Sequence, residues 1–297
     1  MLPSSSMMGF VNVCKPAGPT STQIVTRVRR IFSTYSEQRD LAAGHLGTLD
    51  PQAAGVLPVA IGKATRLIPL LEDRRKCYAL TLVLGRSTTT QDALGESVEC
   101  APVPENILQR VEEVLPAFCG RIEQIPPMFS ALHYGGKRLY DLARAGVTVE
   151  RKARTISIYD LSILGFEAPD TVRMRVACSE GTYVRTLCAD LGAAVGVPAH
   201  MGALVREASG PFLLAEALTL EEIAEAPETA LLAPDRIVPF PTVVLDLRAS
   251  ADFRAGRTVA MAESVGGKHV FVRDAARTLV GVGEAHGVML APRKVFV

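Results

Sequence analysis

Residues 44–67 read GHLGTLDPQAAGVLPVAIGKATRL, and this run constrains the chain more than any other. It is apolar and glycine-rich and holds a single acid, Asp50. A segment of that composition belongs inside a fold, and a buried carboxylate needs a partner or a job. Gly44, Gly47 and Gly55 permit positive φ or close approach to a ligand. Pro51 fixes the backbone just after the acid and removes one donor. His45 lies five residues before Asp50. An isolated L-D-P would read as a tight turn with a hydrogen-bonded Asp and a core His.

The chain has 297 residues, enough for one large domain or a large domain with a small one. Mean hydropathy is +0.22 and 48% of residues are hydrophobic, so a substantial core can form. The longest apolar run near the glycine segment, 53–61, is broken by Gly55 and Pro58 and is too short to span a bilayer. The start, MLPSSSMMGFVNV, lacks the basic and long apolar regions of a secretory signal. It reads as a short extension before the first strand. The six cysteines (Cys14, Cys77, Cys100, Cys119, Cys178, Cys188) form no C-x-x-C pair and no zinc-type cluster. They are expected as reduced thiols in a cytoplasmic protein without a metal.

Net charge is only +1, but its distribution is uneven. Residues 132–154 carry six Lys/Arg and two acids, whereas residues 211–235 carry six acids and no Lys/Arg. The first segment is suited to attract phosphates, and the second balances the total; either is equally consistent with a solvated face.

Periodicity supplies the elements. Residues 9–13 read as a strand, followed by the K-P-A-G-P-T turn. Residues 20–32 read as a helix with Ile24, Val25, Val28, Ile31 and Phe32 on one face and Thr20 or Ser21 as cap. Residues 78–84 (YALTLVL) read as a buried strand and 104–118 as an amphipathic helix with Pro near its start. Residues 155–166 and 171–179 form a predicted hairpin, in which Val172, Met174, Val176 and Cys178 alternate with Arg173 and Arg175. Residues 182–195 read as a helix stopped by Gly196 and Pro198. The order β-α-β-α-β-β-α mixes hairpins with crossovers, which predicts an α+β fold rather than a doubly wound parallel sheet. The acidic stretch is expected to be helical. After Pro234 the composition shifts to short strands at 242–247, 269–273, 278–283 and 288–291, suiting a small β-rich appendage. The expected domains are 1–234 and 235–297.

The run at 44–67 resembles the signature of the TruB-type tRNA pseudouridine synthases, G-H-x-G-T-L-D-P-x-A-x-G-V-L-P-x-x-x-G-x-A-T. Residues 181–192 (GTYVRTLCADLG) resemble that family's G-T-Y-I-R-x-L-x-x-D-L-G motif, and 124–154 its Q-x-P-P-x-x-S-A block. The resemblance is dense from Val11 to Phe212 and thin beyond Pro234. It implies a pseudouridine-synthase-like catalytic domain with a central mixed, mostly antiparallel sheet and flanking helices. It also implies a small C-terminal PUA-like domain that binds RNA.

By resemblance, Asp50 is the catalytic acid and needs no cofactor. Arg185 would pair with it and keep it ionised and aimed; a surface pairing with Asp190 or Glu180 is the plainer alternative. Tyr78, after Lys76 in the family's K-x-Y strand, would stack on the target uracil. His45 and Tyr183 would contact the extruded nucleotide, and Leu204 would wall the base pocket. Arg206 is expected to help with phosphates. The basic block, with Tyr140, would line the RNA cleft near the active site. The implied substrate is uridine 55 in the T loop of tRNA, bound through the T-arm by a monomer without guide RNA or membrane.

The chain departs from the family pattern at Cys14, where many members have Asp, at Thr89 in the T-D-T-x-D run, and at His133 in S-A-x-K. The His133 change puts one phosphate contact in question. A non-catalytic RNA-binding protein on the same scaffold is the rival reading. A phosphate-cradling metabolic enzyme has no G-x-G-x-x-G or Walker motif to support it.

Overall fold

The structure is a computed structural model describing residues 7–130 and 132–296, for Arg138 the backbone alone. The extension expected at the very start, residues 1–6, lies outside the described residues. In chain order the large unit contains β1 (Met8–Lys15), α1 (Ser21–Ser36), β2 (Ala43–His45), β3 (Ala54–Gly62) and β4 (Lys76–Leu84). A hairpin of β5 (Arg86–Thr88) and β6 (Ser97–Cys100) follows, then α2 (Ile107–Val114) and β7 (Gly120–Gln124). A second hairpin, β8 (His133–Tyr134) and β9 (Lys137–Arg138), runs into α3 (Leu139–Arg144). The series closes with β10 (Arg154–Glu167), β11 (Thr171–Cys178), α4 (Val184–Val195) and β12 (Ala199–Ser209).

The central sheet has the order β1-β3-β12-β4-β11-β10-β7, with β2 paired to β3. Every pairing along that path is antiparallel except β3 with β12, which is parallel. This is the expected α+β arrangement with a mixed, mostly antiparallel sheet. Alternation along β11 buries Val172, Met174, Val176 and Cys178 completely and turns Arg173 and Arg175 outward. These side chains share one core cluster with Ile24, Val28 and Phe32 of α1 and Leu187, Cys188 and Leu191 of α4. Each such side chain contributes about 1.5–3 kcal/mol of burial free energy.

Local chemistry explains the element ends. Thr20 caps α1 in a reciprocal box with Gln23. The helix expected over 104–118 is shorter. Its α-helical part spans Ile107–Val114, and Leu115–Phe118 is a 3-10 turn. Pro116 lacks the N–H that an α-helix would need there, which tightens the last turn. The helix expected over 182–195 starts two residues later, with Tyr183 at the N-cap and Gly196 at the C-cap in the left-handed region. Of the three glycines, Gly44 has ordinary backbone angles, whereas Gly47 and Gly55 have φ of 127° and 102°. A Cβ on Gly55 would collide with the Arg206 backbone, so glycine lets β3 run beside β12.

The acidic stretch is broken into short helices: α5 (Leu220–Glu225), α6 (Pro227–Ala230) and α7 (Pro234–Ile237). The C-terminal region holds a five-stranded sheet and one helix, Leu247–Arg254, that periodicity did not suggest. An apolar cluster links Phe10, Val56, Ala60 and Leu67 with Val238, Phe271, Val282 and Phe296. Both units therefore share buried surface. No helix among the described residues is long and apolar enough to cross a membrane.

Candidate active site

The loop carrying Asp50 leaves β2 and returns in β3, and most of its carbonyls are held from beneath. Lys15 is fully buried, and its Nζ donates to the carbonyls of Pro16, Pro51 and Ala53 at 3.0, 3.1 and 2.6 Å. Arg206, 1% exposed, donates from Nε to Val56, from NH1 to Thr48 and from NH2 to Gly47 at 2.7, 3.3 and 3.0 Å. Lys76 donates to the Leu46 carbonyl at 3.3 Å and to Ser209 Oγ at 2.7 Å. Ser21 clasps Leu49 in both directions, donating to its carbonyl and accepting its N–H at 2.8 and 2.9 Å. Burial lowers Lys15 and Lys76 to about 8. Asp50 opposes that shift at Lys15, and Arg206 adds to it at both lysines. The cations neutralise carbonyl dipoles rather than carboxylates, and desolvation of the ammonium dominates.

Asp50 is turned the other way. Its side chain is 36% exposed, and Oδ2 accepts from Arg185 Nε at 2.9 Å. Arg185 is 7% exposed and is held at each of its three nitrogens: beyond the Nε contact, NH1 donates to the Thr90 carbonyl at 3.0 Å and NH2 to the Phe129 carbonyl at 2.8 Å. Such a guanidinium cannot rotate without breaking several bonds, so it fixes the direction of the Asp50 carboxylate. The surface pairing is not realised. Glu180 pairs with Arg74 at 2.9 Å, and burial raises the Asp190 carboxyl, which forms no salt bridge among the described residues. A fixed, partly open carboxylate backed by a buried cation can attack an electrophilic carbon or remove a proton beside it.

The remaining predicted residues surround this pair to differing degrees. Tyr78, 8% exposed, sits in β4 opposite Arg206, with Arg206 and Asp50 close enough to act on its hydroxyl. Burial pushes that hydroxyl up, and the guanidinium pulls it partly back. Tyr183 is half-buried at the start of α4. Gln124 accepts its N–H at 2.8 Å and donates to its carbonyl at 3.1 Å. Burial raises its hydroxyl too, while Arg154 and Arg185 lower it. His45 ends β2; burial and then Arg206 lower its pKa, and its buried Nδ1 has no hydrogen-bond partner among the described residues. A neutral ring with an unpaired nitrogen is fitted to hydrogen-bond a ligand. Leu204 is 8% exposed on β12, opposite Leu80.

One expectation changes. Arg206 is not available to phosphates, because it is buried and its Nε, NH1 and NH2 each donate to a loop carbonyl. In the basic block, Arg144 lies over the Tyr140 ring at 5.5 Å and Arg151 donates to the Pro126 carbonyl at 3.1 Å. Near the start of the block the Phe129 carbonyl meets the Asp50–Arg185 pair, through Arg185 NH2. Sequence reasoning missed Lys15, Ser21, Gln52, Lys76 and Asp92 as site-building residues. Asp92, 4% exposed, lies behind Arg185, with Oδ2 3.7 Å from NH1. The available signal was a charge set against an apolar strand, as in FVNVCK, KCYALTLVL and ALVREAS.

Comparison with known proteins fixes the lineage. Residues 29–184 match the TruB family pseudouridylate synthase N-terminal domain, and residues 185–236 match the tRNA pseudouridylate synthase B C-terminal domain. The chain belongs to the TruB family. It is therefore a pseudouridine synthase, an isomerase. It is 38% identical over 291 residues to tRNA pseudouridine synthase B of Caldanaerobacter subterraneus subsp. tengcongensis, covering 98% of this chain and 100% of that protein. The Heliobacterium mobile protein of the same name is 47% identical over 236 residues, 79% of this chain and 73% of that one. Among solved structures, a chain of a Cbf5-Nop10-Gar1 complex superposes with a TM-score of 0.68 at 29% identity. That match covers 97% of this chain and 85% of the other. A chain of an H/ACA RNP bound to a substrate RNA containing 2'-deoxyuridine gives 0.67 at 27%, covering 97% and 85%. The likeness to these chains and to the Caldanaerobacter protein extends into the C-terminal sheet, which neither domain match reaches.

Proposed function

We propose that this pseudouridine synthase acts on tRNA and isomerises uridine 55 in the T loop. The relatives named tRNA pseudouridine synthase B support the substrate class. The observation that carries the chemistry is the 2.9 Å pair between half-open Asp50 and buried Arg185. The target base lies in the folded tRNA elbow and must be extruded to meet Asp50. Tyr78 receives the uracil ring, His45 and Tyr183 contact the extruded nucleotide, and Leu204 walls the pocket. Asp50 then either attacks the sugar or removes a ribose proton. Both routes need one ionised, aimed carboxylate and no cofactor. The glycosidic C–N bond breaks, the base turns, and a C–C bond forms from the uracil C5 to the same sugar carbon; C5 then loses its proton and the freed ring nitrogen N1 gains one.

Recognition of the T-arm rests on RNA shape, with the exposed cations of residues 132–154 as phosphate partners. The enzyme acts as a cytoplasmic monomer without guide RNA, and the C-terminal unit, residues 235–297, serves as a PUA-like RNA-binding domain. The test is conversion of an unmodified tRNA transcript, read at single-nucleotide resolution, by wild type and Asp50→Asn. Conversion at position 55 alone, abolished by the substitution with tRNA binding kept, is the expected result. Product elsewhere overturns the target. Normal turnover by Asp50→Asn overturns the catalytic assignment, and binding without product supports an RNA-binding scaffold instead.

A further inference from the structure

Gln52 stands two residues beyond Asp50, in a slot the family signature leaves open. Its side-chain amide donates to Asp92 Oδ2 at 2.6 Å. Asp92 Oδ1 is already satisfied, accepting from Thr90 Oγ1 at 2.6 Å and from the Leu94 N–H at 3.1 Å. Thr88 Oγ1 donates to the Asp92 carbonyl at 2.6 Å, so the backbone of this bend is fixed as well. Asp92 therefore cannot move to find a new donor. Its Oδ2 lies 3.7 Å from Arg185 NH1, outside hydrogen-bond range, while Arg185 Nε makes a 2.9 Å contact with Asp50. Two carboxylates flank one guanidinium, and only one of them holds a hydrogen bond to it. The difference is that Asp92 Oδ2 has another donor, and that donor is Gln52.

We propose that Gln52 is a positioning residue for the reaction. By satisfying Asp92 Oδ2 with a neutral amide, it leaves Arg185 committed to Asp50. It also ties the loop bearing Asp50 to the bend bearing Asp92. Without the amide, a nearly buried carboxylate oxygen loses its donor, and an unsatisfied charge in that setting is costly. Arg185 NH1, 3.7 Å away, is a donor within reach. Satisfying Asp92 then requires the guanidinium to turn, which draws Nε away from Asp50. A shift of this kind acts on the chemical step and leaves RNA contacts alone. The inference rests on the reading of Asp50 as the catalytic group.

The test measures kcat and KM for an unmodified tRNA transcript with wild type, Gln52→Met, Gln52→Glu, Asp92→Asn and the Gln52→Met/Asp92→Asn pair. Gln52→Met keeps the side-chain length and removes only the amide. The expected result is a kcat lowered about tenfold with KM within about twofold, because misaimed reacting groups cost one to two orders of magnitude. Gln52→Glu places a second carboxylate against Asp92 and is expected to lose at least as much. In the Asp92→Asn background, where no charged oxygen competes for Arg185, Gln52→Met is expected to cost less than about twofold. Rates are normalised to the folded fraction from circular dichroism, and Gln52→Glu decides the matter if Gln52→Met does not fold. Wild-type kcat in the readable variant overturns the proposal. So does a change confined to KM, or a tenfold loss that persists in the Asp92→Asn background. Asp50→Asn in the same assay separates the two levels. An inactive Asp50→Asn beside an unimpaired Gln52 variant overturns only the role of Gln52, whereas an active Asp50→Asn overturns the reading beneath it.

Discussion

The floor of the Asp50 loop and the basic segment at 132–154 are both rich in Lys and Arg, yet they use those residues in opposite ways. Under the loop, Lys15, Lys76 and Arg206 are buried and each donates to backbone carbonyls of the loop. In the basic segment, Lys137 and Lys152 are exposed, and the surrounding structure is a two-residue-strand hairpin and one short helix. The first arrangement produces rigidity, because a buried cation with several carbonyl partners allows one loop geometry. The second produces adaptable charge, because exposed cations keep their water until a phosphate displaces it. Catalysis needs the first property beside the reacting carbon, and RNA capture needs the second at the rim.

Substitution in the floor is the strongest way to break this contrast. Arg206→Met removes the donor from three carbonyls at once, at least one of them deeply buried. A loss of about 3 kcal/mol in urea unfolding is expected, with turnover falling by about two orders of magnitude. Turnover unchanged in a folded Arg206→Met protein would show that the loop holds its shape without this cation. Arg185→Lys is the next test. It keeps a positive charge but cannot reach Asp50, Thr90 and Phe129 together. About a hundredfold loss in kcat, with KM for tRNA within about threefold, is expected from steady-state kinetics. A loss confined to KM would mean that Arg185 serves RNA binding.

The contrast was only partly visible in the sequence, and the reason is physical. Strand and helix periodicity reports which face is apolar, so the β10–β11 hairpin, α1 and the alternation of Val172 with Arg173 could be read directly. Asp50 and Arg185 stood out because each lies in a long motif. Arg206 was read as a phosphate ligand because sequence shows a side chain's charge and not the backbone carbonyls that surround it. Those carbonyls come from residues 47, 48 and 56, far away along the chain. Asp92 and Gln52 were illegible for the same reason, since their significance depends on a contact between segments forty residues apart. The strand β12 was missed because Gly202 and the charges at Arg206 and Glu207 interrupt its alternation.

A milder test addresses the rim. Lys137→Ala with Lys152→Ala removes two exposed cations and no buried contact. KM for tRNA is expected to rise about tenfold at physiological salt, with kcat unchanged and stability within about 0.5 kcal/mol. The slope of log KM against log salt should shrink by roughly one to two, as when one or two phosphates go without a cation. An unchanged salt slope would place the RNA path elsewhere.

The smallest expected effect comes from pH and concerns the floor alone. Lys15 titrates at about 8 in the folded protein, against 10.5 as an ordinary lysine. A lowered folded pKa means that, between pH 8 and 10.5, the unfolded chain binds more protons than the folded one, so stability rises with pH across that window. Below about pH 8 both states are protonated and the contribution is flat. The Lys15→Met variant lacks this gain. The stability of wild type relative to Lys15→Met, from urea unfolding at about pH 7 and about pH 9.5, is therefore expected to increase with pH. Turnover should move the other way, because the neutral amine has two N–H groups for three carbonyls and holds the Asp50 loop less firmly. Lys76 titrates in the same range and contributes equally to both proteins, so it cancels in the comparison. A wild-type-minus-variant difference that stays flat across the window would mean that Lys15 keeps an ordinary pKa. The floor would then be more hydrated than its burial implies, and its rigidity would have to come from Arg206 and Ser21.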